Sequence, residues 1–394
     1  MKNLIFILKV FFKMKIIFKD PKNYDLVIFD DTSIDELEAI LKNRKYFILQ
    51  NRVDRIDRIY ISFNIIRNFI KNYKSNISTA YFLTLLDIIK PKVVFTFIDN
   101  SFKFSELAKL KNHKIKFIAL QNGARYEHKE YEYLYKNRII KYNYSENFFI
   151  PYLLCYGKYE IDDFKKYNIK VNDFSVVGSL RVSNFLLRKE KIEKYYNDIC
   201  LISDIYSWDD IFNIYNSALE KGIITLTKFV INFSIKHNLK LTIALRSYRN
   251  DIENFNREIN FYKRYLTKIE YNFLSRSFFY RKEKNKFSTY ELMKGSKVVV
   301  GSISTTLREN LSMDGKILAC NLTPTDIFDF PLKGLCFIKN CNFKDFEKRL
   351  LKIINLSKKE YFSQINKNYV VDYNKNNSTI EKVNNKLDLF LKNI

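Results

Sequence analysis

Short apolar runs alternate with longer amphipathic stretches along almost the whole chain of 394 residues. The apolar runs lack strict alternation of apolar and polar positions, which is typical of parallel strands buried on both faces. Strands are predicted in the first half at 25–30, 45–50, 92–99, 114–122, 151–157 and 174–178. Between them, helical periodicity predicts helices at 62–74, 79–90 and 101–112, and another that ends near Tyr167.

The alternation restarts at Asp198, where a second series begins. Its strands are predicted at 198–204, 239–246, 297–301, 316–320 and 334–340, and its helices at 208–237, 252–268 and within 343–394. Two successive βαβ series predict an α/β protein with two doubly wound domains. The boundary is expected near 180–196, a Lys- and Tyr-rich stretch, so that the predicted parts are 1–185, 196–375 and a C-terminal helix at 376–394.

The segment 297–320 predicts a buried strand, a tight turn, a short helix and a second strand. Ser304 stands at the position of a helix N-cap. Free N–H groups at such a terminus suit an anionic diphosphate at the carboxyl end of a parallel strand. The neighbouring hydroxyls that can supplement them are those of Ser302, Ser304, Thr305 and Thr306. Glu309, one turn later, is placed to accept hydrogen bonds from ribose hydroxyls, although an ordinary capped helix with a solvated Glu is the alternative.

The chain carries 68 Lys and Arg against 43 Asp and Glu, a formal net charge of +25. Such a charge suggests nucleic acid or an anionic membrane surface as a partner. Only 17 of the basic residues are Arg, the side chain that clamps phosphates and bases best, and the abundance of Lys, Asn and Ile is typical of an AT-rich genome. We therefore expect no nucleic acid partner, and a peripheral contact with an anionic leaflet instead.

The N-terminal run LIFILKVFF is interrupted by lysines and is shorter than the 20 or so apolar residues that span a bilayer. We predict neither a signal peptide nor a transmembrane anchor, but a membrane-surface element at residues 4–18, with a first strand or a disordered start as the alternative. The five Cys form no CxxC pair and the three His are far apart, so no zinc site is expected. Scattered Cys of this kind are typical of buried free thiols, and we therefore expect the protein in a reducing cytoplasm. No cofactor is predicted. Because no DxD motif stands between strands, a metal-independent mechanism is predicted as well.

Several motifs, in their order along the chain, resemble those of surface carbohydrate (O-antigen) biosynthesis proteins, glycosyltransferases of the GT-B type. They are YDLVIFD, KVVFTFIDNSFKFSEL, KFIALQNGARYEH, VVGSLRVSNF and VVVGSISTTLRENLSMDGK, and they run from residue 24 to about 385. The resemblance implies two Rossmann-like domains with an interdomain cleft, a nucleotide sugar held mainly by the C-terminal domain and an acceptor held by the N-terminal one. Related transferases often carry a His-Gly pair where this chain has Gln121, Asn122 and Gly123.

Residues at the predicted strand ends supply the candidate donor chemistry. Arg246 ends the strand 239–246, where a guanidinium can contact phosphate oxygens in a bidentate way. Gly178 and Ser179 follow the strand 174–178 and form a turn that we place near the donor phosphates. For Arg246 the alternative is a solvated charge.

The general base for the acceptor hydroxyl is expected at the ends of two strands of the first domain. Asp99 ends one of them, and the alternative for it is a helix N-cap. Glu127 and His128 follow the next, and a lone His is often structural. Asn122 and Gly123 are candidates for binding acceptor hydroxyls, although turn chemistry explains them as well.

These observations predict a cytoplasmic glycosyltransferase, peripheral to the inner membrane, that acts in the assembly of surface polysaccharide such as O-antigen, lipopolysaccharide or capsule. Its partners are a nucleotide-sugar donor and a saccharide or lipid-linked acceptor. Two alternatives stay open. One is the transfer of an alditol phosphate from a CDP-alditol, and the other is a non-enzymatic basic protein that binds nucleic acid.

Overall fold

The chain forms two compact units in the computed structural model. The first comprises Met1–Gly123, Glu127–Asn184 and Tyr373–Ile394, and the second comprises Ala124–Tyr126 and Phe185–Asp372. The structure describes residues 14–52, 55–74, 76–138, 141, 143–188, 196–205, 213–281, 285–372 and 378–392. Elements are numbered below in chain order.

The first unit contains a six-stranded sheet in which all neighbouring strands are parallel. Its order is β3-β2-β5-β6-β7-β8. The strands are β2 (Leu26–Phe29), β3 (Tyr46–Leu49), β5 (Val93–Thr96), β6 (Lys116–Leu120), β7 (Phe149–Cys155) and β8 (Lys170–Val176). All six overlap predicted strands, although β7 begins two residues and β8 four residues earlier than predicted. The central strands β5 and β6 are apolar except for Thr96 and Lys116, because both faces of a parallel sheet are covered.

Helices cover both faces of this sheet. They are α1 (Glu38–Leu41), α2 (Phe63–Asn72), α3 (Ile77–Ile89), α4 (Phe102–Lys111), α5 (Glu127–Lys136), α6 (Tyr144–Asn147), α7 (Lys158–Lys166), α8 (Leu180–Leu187) and α17 (Thr379–Lys392), with a 3-10 turn at Ile34–Leu37. Along β2, Val27 and Phe29 enter one core and Leu26 and Ile28 the other, because successive side chains of a strand point to opposite faces. The C-terminal helix α17 packs into the second of these cores.

A separate two-stranded parallel sheet lies in the first unit, formed by β1 (Lys15–Ile17) and β4 (Arg58–Tyr60). Neither strand exceeds three residues, and β4 was not predicted. Of the membrane-surface element predicted at residues 4–18, the part up to residue 13 lies outside the described residues. The remainder contains β1, which agrees with the alternative of a first strand.

The second unit contains another six-stranded parallel sheet, of order β11-β10-β9-β12-β13-β14. Its strands are β9 (Asn197–Ile202), β10 (Leu241–Tyr248), β11 (Phe278–Arg281), β12 (Ser296–Gly301), β13 (Ile317–Asn321) and β14 (Phe337–Lys339). Counted from β9, this is the 3-2-1-4-5-6 order of the Rossmann fold. The edge strand β11 is the one that the apolar pattern did not reveal, since all four of its residues are half-buried.

The helices of the second unit follow the predicted alternation. They are α9 (Asn213–Lys236), α10 (Ile252–Tyr265), α11 (Lys268–Arg276), α12 (Ser288–Lys294), α13 (Thr305–Ser312), α14 (Phe343–Asn355), α15 (Lys358–Phe362) and α16 (Lys367–Val370), with a 3-10 turn at Asp326–Phe328. The predicted start of the long helix at Trp208 lies outside the described residues.

The two sheets are separate, with Val176 in β8 of one and Leu201 in β9 of the other. The predicted fold class, two Rossmann-like α/β units with mainly parallel sheets, is therefore confirmed. Within the expected boundary at 180–196, residues up to Leu187 form α8, and 189–195 lie outside the described part of the chain. The exact domain limits stay a prediction.

Candidate functional site

The second unit has a topological switch point between β9 and β12. These two strands are neighbours in the sheet. The strands that follow β9 in the chain, β10 and β11, lie on one side of it, and β12, β13 and β14 lie on the other. Ligands of open α/β sheets bind in the crevice that such a reversal opens at the carboxyl ends of the strands. Here those ends carry Ser203 and Asp204 after β9, and Ser302 to Thr306 after β12.

The turn after β12 leads directly into α13. Ser304 is the N-cap, as predicted, and its Oγ accepts from the Thr306 N–H at 3.4 Å and pairs with the Thr306 hydroxyl at 2.8 Å. The Thr305 Oγ1 accepts the N–H of Ala124 at 2.8 Å. The first turn of α13 carries no acidic residue, so no carboxylate in that turn neutralises the positive end of the helix dipole.

Asp204 holds the backbone of this turn through two hydrogen bonds. Its Oδ2 accepts the N–H of Ser302 at 2.9 Å and that of Ile303 at 3.2 Å. Burial raises the pKa of Asp204 to about 6, although these N–H groups and the charge of Arg246 act in the opposite direction. Asp204 is the second residue after β9, and its type and position match the argument that identified Asp99, so the sequence held a signal for it.

The raised pKa of Asp204 predicts a pH dependence of stability. The folded protein keeps a proton that the unfolded chain releases between about pH 4 and pH 6, so this group's contribution is present at pH 4 and is lost as the pH rises through 6. Relative to Asp204→Asn, the wild-type protein should lose about 2 kcal/mol of unfolding free energy between pH 4 and pH 7. Urea titrations of both proteins at a series of pH values measure this. A constant difference between them would show that Asp204 does not titrate in this range.

A polar cleft of about 240 Å³ lies beside the switch point, at the carboxyl ends of β10 and β11. Its charged lining residues are three arginines and two carboxylates: Arg246, Arg257, Arg281, Asp251 and Glu258. Arg281 donates to the Arg246 carbonyl at 3.0 Å and to the Tyr248 hydroxyl at 2.7 Å. Arg246 is exposed at the strand end, where the sequence predicted a phosphate contact.

The backbone of this strand end is held by a buried carboxylate. Glu258 of α10 accepts the N–H groups of Arg246 at 3.0 Å and Ser247 at 2.9 Å, and it also bonds the Ser203 hydroxyl. Glu258 thereby ties the end of β10 to the end of β9. Sequence reasoning missed Glu258 because it lies on a helix and nothing in its neighbourhood in the chain marks it.

Two charged residues of α13 are buried. Glu309 accepts from the Tyr290 hydroxyl at 2.9 Å, and Arg308 donates to the Val370 carbonyl at 3.0 Å through its Nε. Both side chains are about 1% exposed. The predicted contact of Glu309 with ribose hydroxyls stays a prediction, and the Tyr290 bond shows that the carboxylate already fixes a neighbouring helix.

The first unit gathers a second set of predicted residues at the carboxyl edge of its sheet. Asp99, which follows β5, is 2% exposed, and its Oδ1 accepts the Asn122 N–H at 3.2 Å. The helix N-cap that the alternative assigned to Asp99 is Ser101 instead. Gly123 offers its carbonyl to Gln121 at 2.8 Å. Asp99, the candidate base, therefore lies beside Asn122 and Gly123, the candidates for acceptor binding.

Arg181 and Glu160 also contact the Gln121–Gly123 turn at this edge, and neither was predicted as a site residue. Arg181 donates to the Asn122 carbonyl at 2.7 Å, and Glu160 accepts from Gln121 at 3.1 Å. Gly178 has a φ of 86° and Ser179 is buried just ahead of α8, so both belong to this edge of the first unit. The predicted donor-phosphate residues of α13 belong to the second unit.

His128 lies apart from the Asp99 contact in its own polar cluster. Its Nε2 is 2.6 Å from Asp163 Oδ2, and its ring packs against Phe164 and Tyr167. Burial alone raises the pKa of Asp163, but the hydrogen bond to His128 and the charge of Lys129 outweigh it and hold the pKa below its usual range. His128 is 3% exposed. The side chain of Glu127, the other candidate at this position, lies outside the described residues.

Two further properties concern the described residues as a whole. No three His, Cys, Asp or Glu side chains in this part of the chain are grouped as a metal site requires. Within the same ranges, no helix has both the length and the apolar character needed to cross a membrane.

Comparison with solved structures identifies proteins of the same fold. S. aureus MnaA with UDP superposes with a TM-score of 0.57 at 10% identity, over 95% of this chain and 98% of that one. The UDP-GlcNAc 2-epimerase of Methanocaldococcus jannaschii, in complex with UDP-GlcNAc and UDP, gives 0.53 at 12% identity, over 92% and 99%. That of Neisseria meningitidis, bound to UDP-GlcNAc, gives 0.52 at 14% identity, also over 92% and 99%. The likeness establishes a GT-B-like fold.

No protein-family model matches the chain, and no curated protein sequence matches it at a significant level.

Proposed function

We propose that this protein is an enzyme that binds a nucleotide sugar through its second unit and transfers the sugar to a saccharide or lipid-linked acceptor. The observation that carries the proposal is the turn from β12 into α13. It presents hydroxyls and a helix N-terminus at the switch point of a 3-2-1-4-5-6 sheet, the position where dinucleotides and related diphosphates bind.

Charge and fold support this assignment. A sugar nucleotide carries its negative charge on the diphosphate, and the switch point is flanked by the exposed Arg246 and the positive end of α13. Three of the structures with which the chain superposes at a TM-score above 0.5 contain UDP or UDP-GlcNAc. We therefore infer a UDP-sugar as the first donor to test.

In the proposed reaction, the acceptor hydroxyl loses its proton to a base as the bond between the sugar and the diphosphate breaks. Cations and helix N–H groups stabilise the charge that develops on the leaving diphosphate. Asp99 is our candidate for the base because it lies at the strand end beside the Asn122–Gly123 turn. His128 and Glu127 are the alternatives.

The biological setting that fits this reaction is the assembly of surface polysaccharide, O-antigen or capsule, at the cytoplasmic face of the inner membrane. The net charge of +25 supports contact with an anionic leaflet, where each Lys or Arg near the surface contributes about 1 kcal/mol.

A second candidate is epimerisation of the sugar nucleotide itself. It is favoured by the names of two of the structures, which are UDP-GlcNAc 2-epimerases. Transfer of an alditol phosphate from a CDP-alditol is a third, because it needs the same diphosphate site.

One experiment separates these reactions. The protein is first titrated with UDP-, GDP-, CMP- and CDP-linked donors and followed by its thermal unfolding, and we expect the UDP-sugars to raise the midpoint most. The stabilising donor is then incubated with and without a lipid-linked saccharide acceptor. Transfer predicts a glycoside only with acceptor, epimerisation predicts an altered sugar nucleotide without it, and alditol-phosphate transfer predicts a phosphodiester. No shift with any donor at millimolar concentration would contradict the proposal.

A further inference from the structure

The helix α2 of the first unit exposes an apolar stripe that no described part of the chain covers. Phe63, Ile66 and Ile70 follow one another at helical spacing and are 82%, 50% and 70% exposed. Ile65, on the opposite side of the helix, is buried. An exposed Ile or Phe is ordinary when single, but a continuous patch marks a binding surface.

The patch extends beyond the helix. Tyr73 follows α2 and Ile77 begins α3, and both are exposed. Phe18, 78% exposed, stands two residues before Asp20, which accepts from Asn64 in the first turn of α2 at 2.9 Å. Of the seventeen large exposed hydrophobic side chains among the described residues, seven lie between residues 16 and 77.

Cations accompany this patch. Arg67, Lys71 and Lys74 are exposed on or just after α2, and the segment 63–74 contains no acidic residue. Of the acidic residues nearby, Asp20 accepts from Asn64 at 2.9 Å, and Asp57 is paired with Arg58 at 2.7 Å. A helix with a bulky apolar stripe and a cationic polar face is the pattern of helices that lie in the interface of a membrane.

An apolar cavity of about 440 Å³ lies beneath the same helix. It is lined by side chains of β3, β4, α2 and α3, among them Phe47, Leu49, Tyr60, Phe69, Phe82 and Leu85. Ile77 also lines it and is 68% exposed, so the cavity reaches the surface at the patch. Its volume is within the range of about 300–1,000 Å³ that small-molecule sites occupy, and its lining suits a hydrocarbon chain.

We propose that the α2 face, defined as Phe18, Phe63, Ile66, Ile70, Tyr73 and Ile77 with the cations Arg67, Lys71 and Lys74, docks on an anionic phospholipid bilayer and that the cavity beneath takes up one acyl chain of a bilayer lipid. We infer an anionic bilayer as the partner because the charged residues of the face are cations. The inference rests on the proposed function in one respect, that a lipid-linked acceptor requires contact with a membrane, and it locates that contact.

Flotation of the full chain with lipid vesicles tests the docking. With vesicles of phosphatidylcholine and 30% phosphatidylglycerol we expect the protein to float, and with pure phosphatidylcholine to bind much less. Ile66→Ser with Ile70→Ser should lower partitioning on both kinds of vesicle by more than about tenfold. Arg67→Glu with Lys71→Glu should lower it by about 25-fold or more, on the anionic vesicles alone. The matched control is Ile252→Ser with Ile269→Ser, which removes two exposed isoleucines from the second unit.

Uptake of the acyl chain is tested by fluorescence. In a background with Trp208→Phe, which removes the one tryptophan of the sequence, Phe69→Trp places a reporter in the cavity wall. Vesicles whose phosphatidylglycerol is brominated on the acyl chain should quench the emission of this tryptophan by at least half. Vesicles of the same composition without brominated lipid should leave the emission unchanged. Binding without quenching overturns the role of the cavity.

Three results would overturn docking itself: no binding to anionic vesicles, binding that the α2 variants leave unchanged, or a concentration-dependent dimer that these variants abolish. Donor titration of the same variants separates the two proposals. If donors bind normally while vesicles do not, only the docking proposal fails; if vesicles bind normally while no donor does, the proposed enzymatic function fails instead.

Discussion

Replacing Arg246 by Ala is expected to weaken the binding of the UDP-sugar donor by about 100-fold or more. A guanidinium that donates two hydrogen bonds to a diphosphate contributes about 1.5–3 kcal/mol through each, and 3 kcal/mol corresponds to roughly 100-fold. Arg246 meets the structural requirement because its side chain is exposed at the carboxyl end of β10, next to the strand that carries Asp204. Isothermal titration of UDP and of the UDP-sugar measures the loss.

Two further variants sharpen this test. Arg246→Lys keeps the charge but loses the planar fork, so it should recover only part of the affinity. Arg276→Ala removes an exposed arginine from α11 of the same unit and should leave donor affinity unchanged. Equal affinities for Arg246→Ala and the wild-type protein would remove Arg246 from the donor site.

Asp99→Asn is expected to reduce turnover by about 100- to 10,000-fold with donor affinity unchanged, the range typical of a lost general base. The amide oxygen of Asn can still accept the Asn122 N–H that Asp99 Oδ1 holds at 3.2 Å, so the fold should survive. Steady-state kinetics with saturating donor, together with a urea titration, distinguish loss of the base from loss of structure.

His128→Gln provides the contrast. Because His128 bonds the buried Asp163 at 2.6 Å, its replacement should lower the unfolding free energy by about 1–3 kcal/mol, the cost of an unsatisfied buried group. If His128→Gln or Glu127→Gln abolishes turnover with full stability while Asp99→Asn stays active, the base is not Asp99.

The arrangement of strands and helices could be predicted from the sequence because parallel strands buried on both faces form uninterrupted apolar runs. Val93–Thr96 and Ile317–Asn321 illustrate this, since every residue in them is buried. The edge strand Phe278–Arg281 and the short strand Arg58–Tyr60 were missed because their residues are only half-buried or exposed, and the contrast between apolar and polar positions is lost.

The candidate site was predictable where local chain order decides it and not where long-range contacts do. Ser304 as an N-cap follows from its place between an apolar strand and a helical pattern. The bonds from Asp204 to Ser302 and from Glu258 to Arg246 join residues 98 and 12 positions apart, and no local pattern pairs them. The burial of Glu309 and Arg308 likewise depends on partners on other helices, Tyr290 and Val370.

A crystal structure of the protein with UDP would show whether the turn from β12 into α13 binds the diphosphate of a nucleotide sugar. We expect the phosphates to lie within hydrogen-bonding distance of the α13 N-terminus, between Ser302 and Thr306, with the Arg246 guanidinium beside them. UDP bound elsewhere on the second unit, or no UDP bound at millimolar concentration, would contradict it.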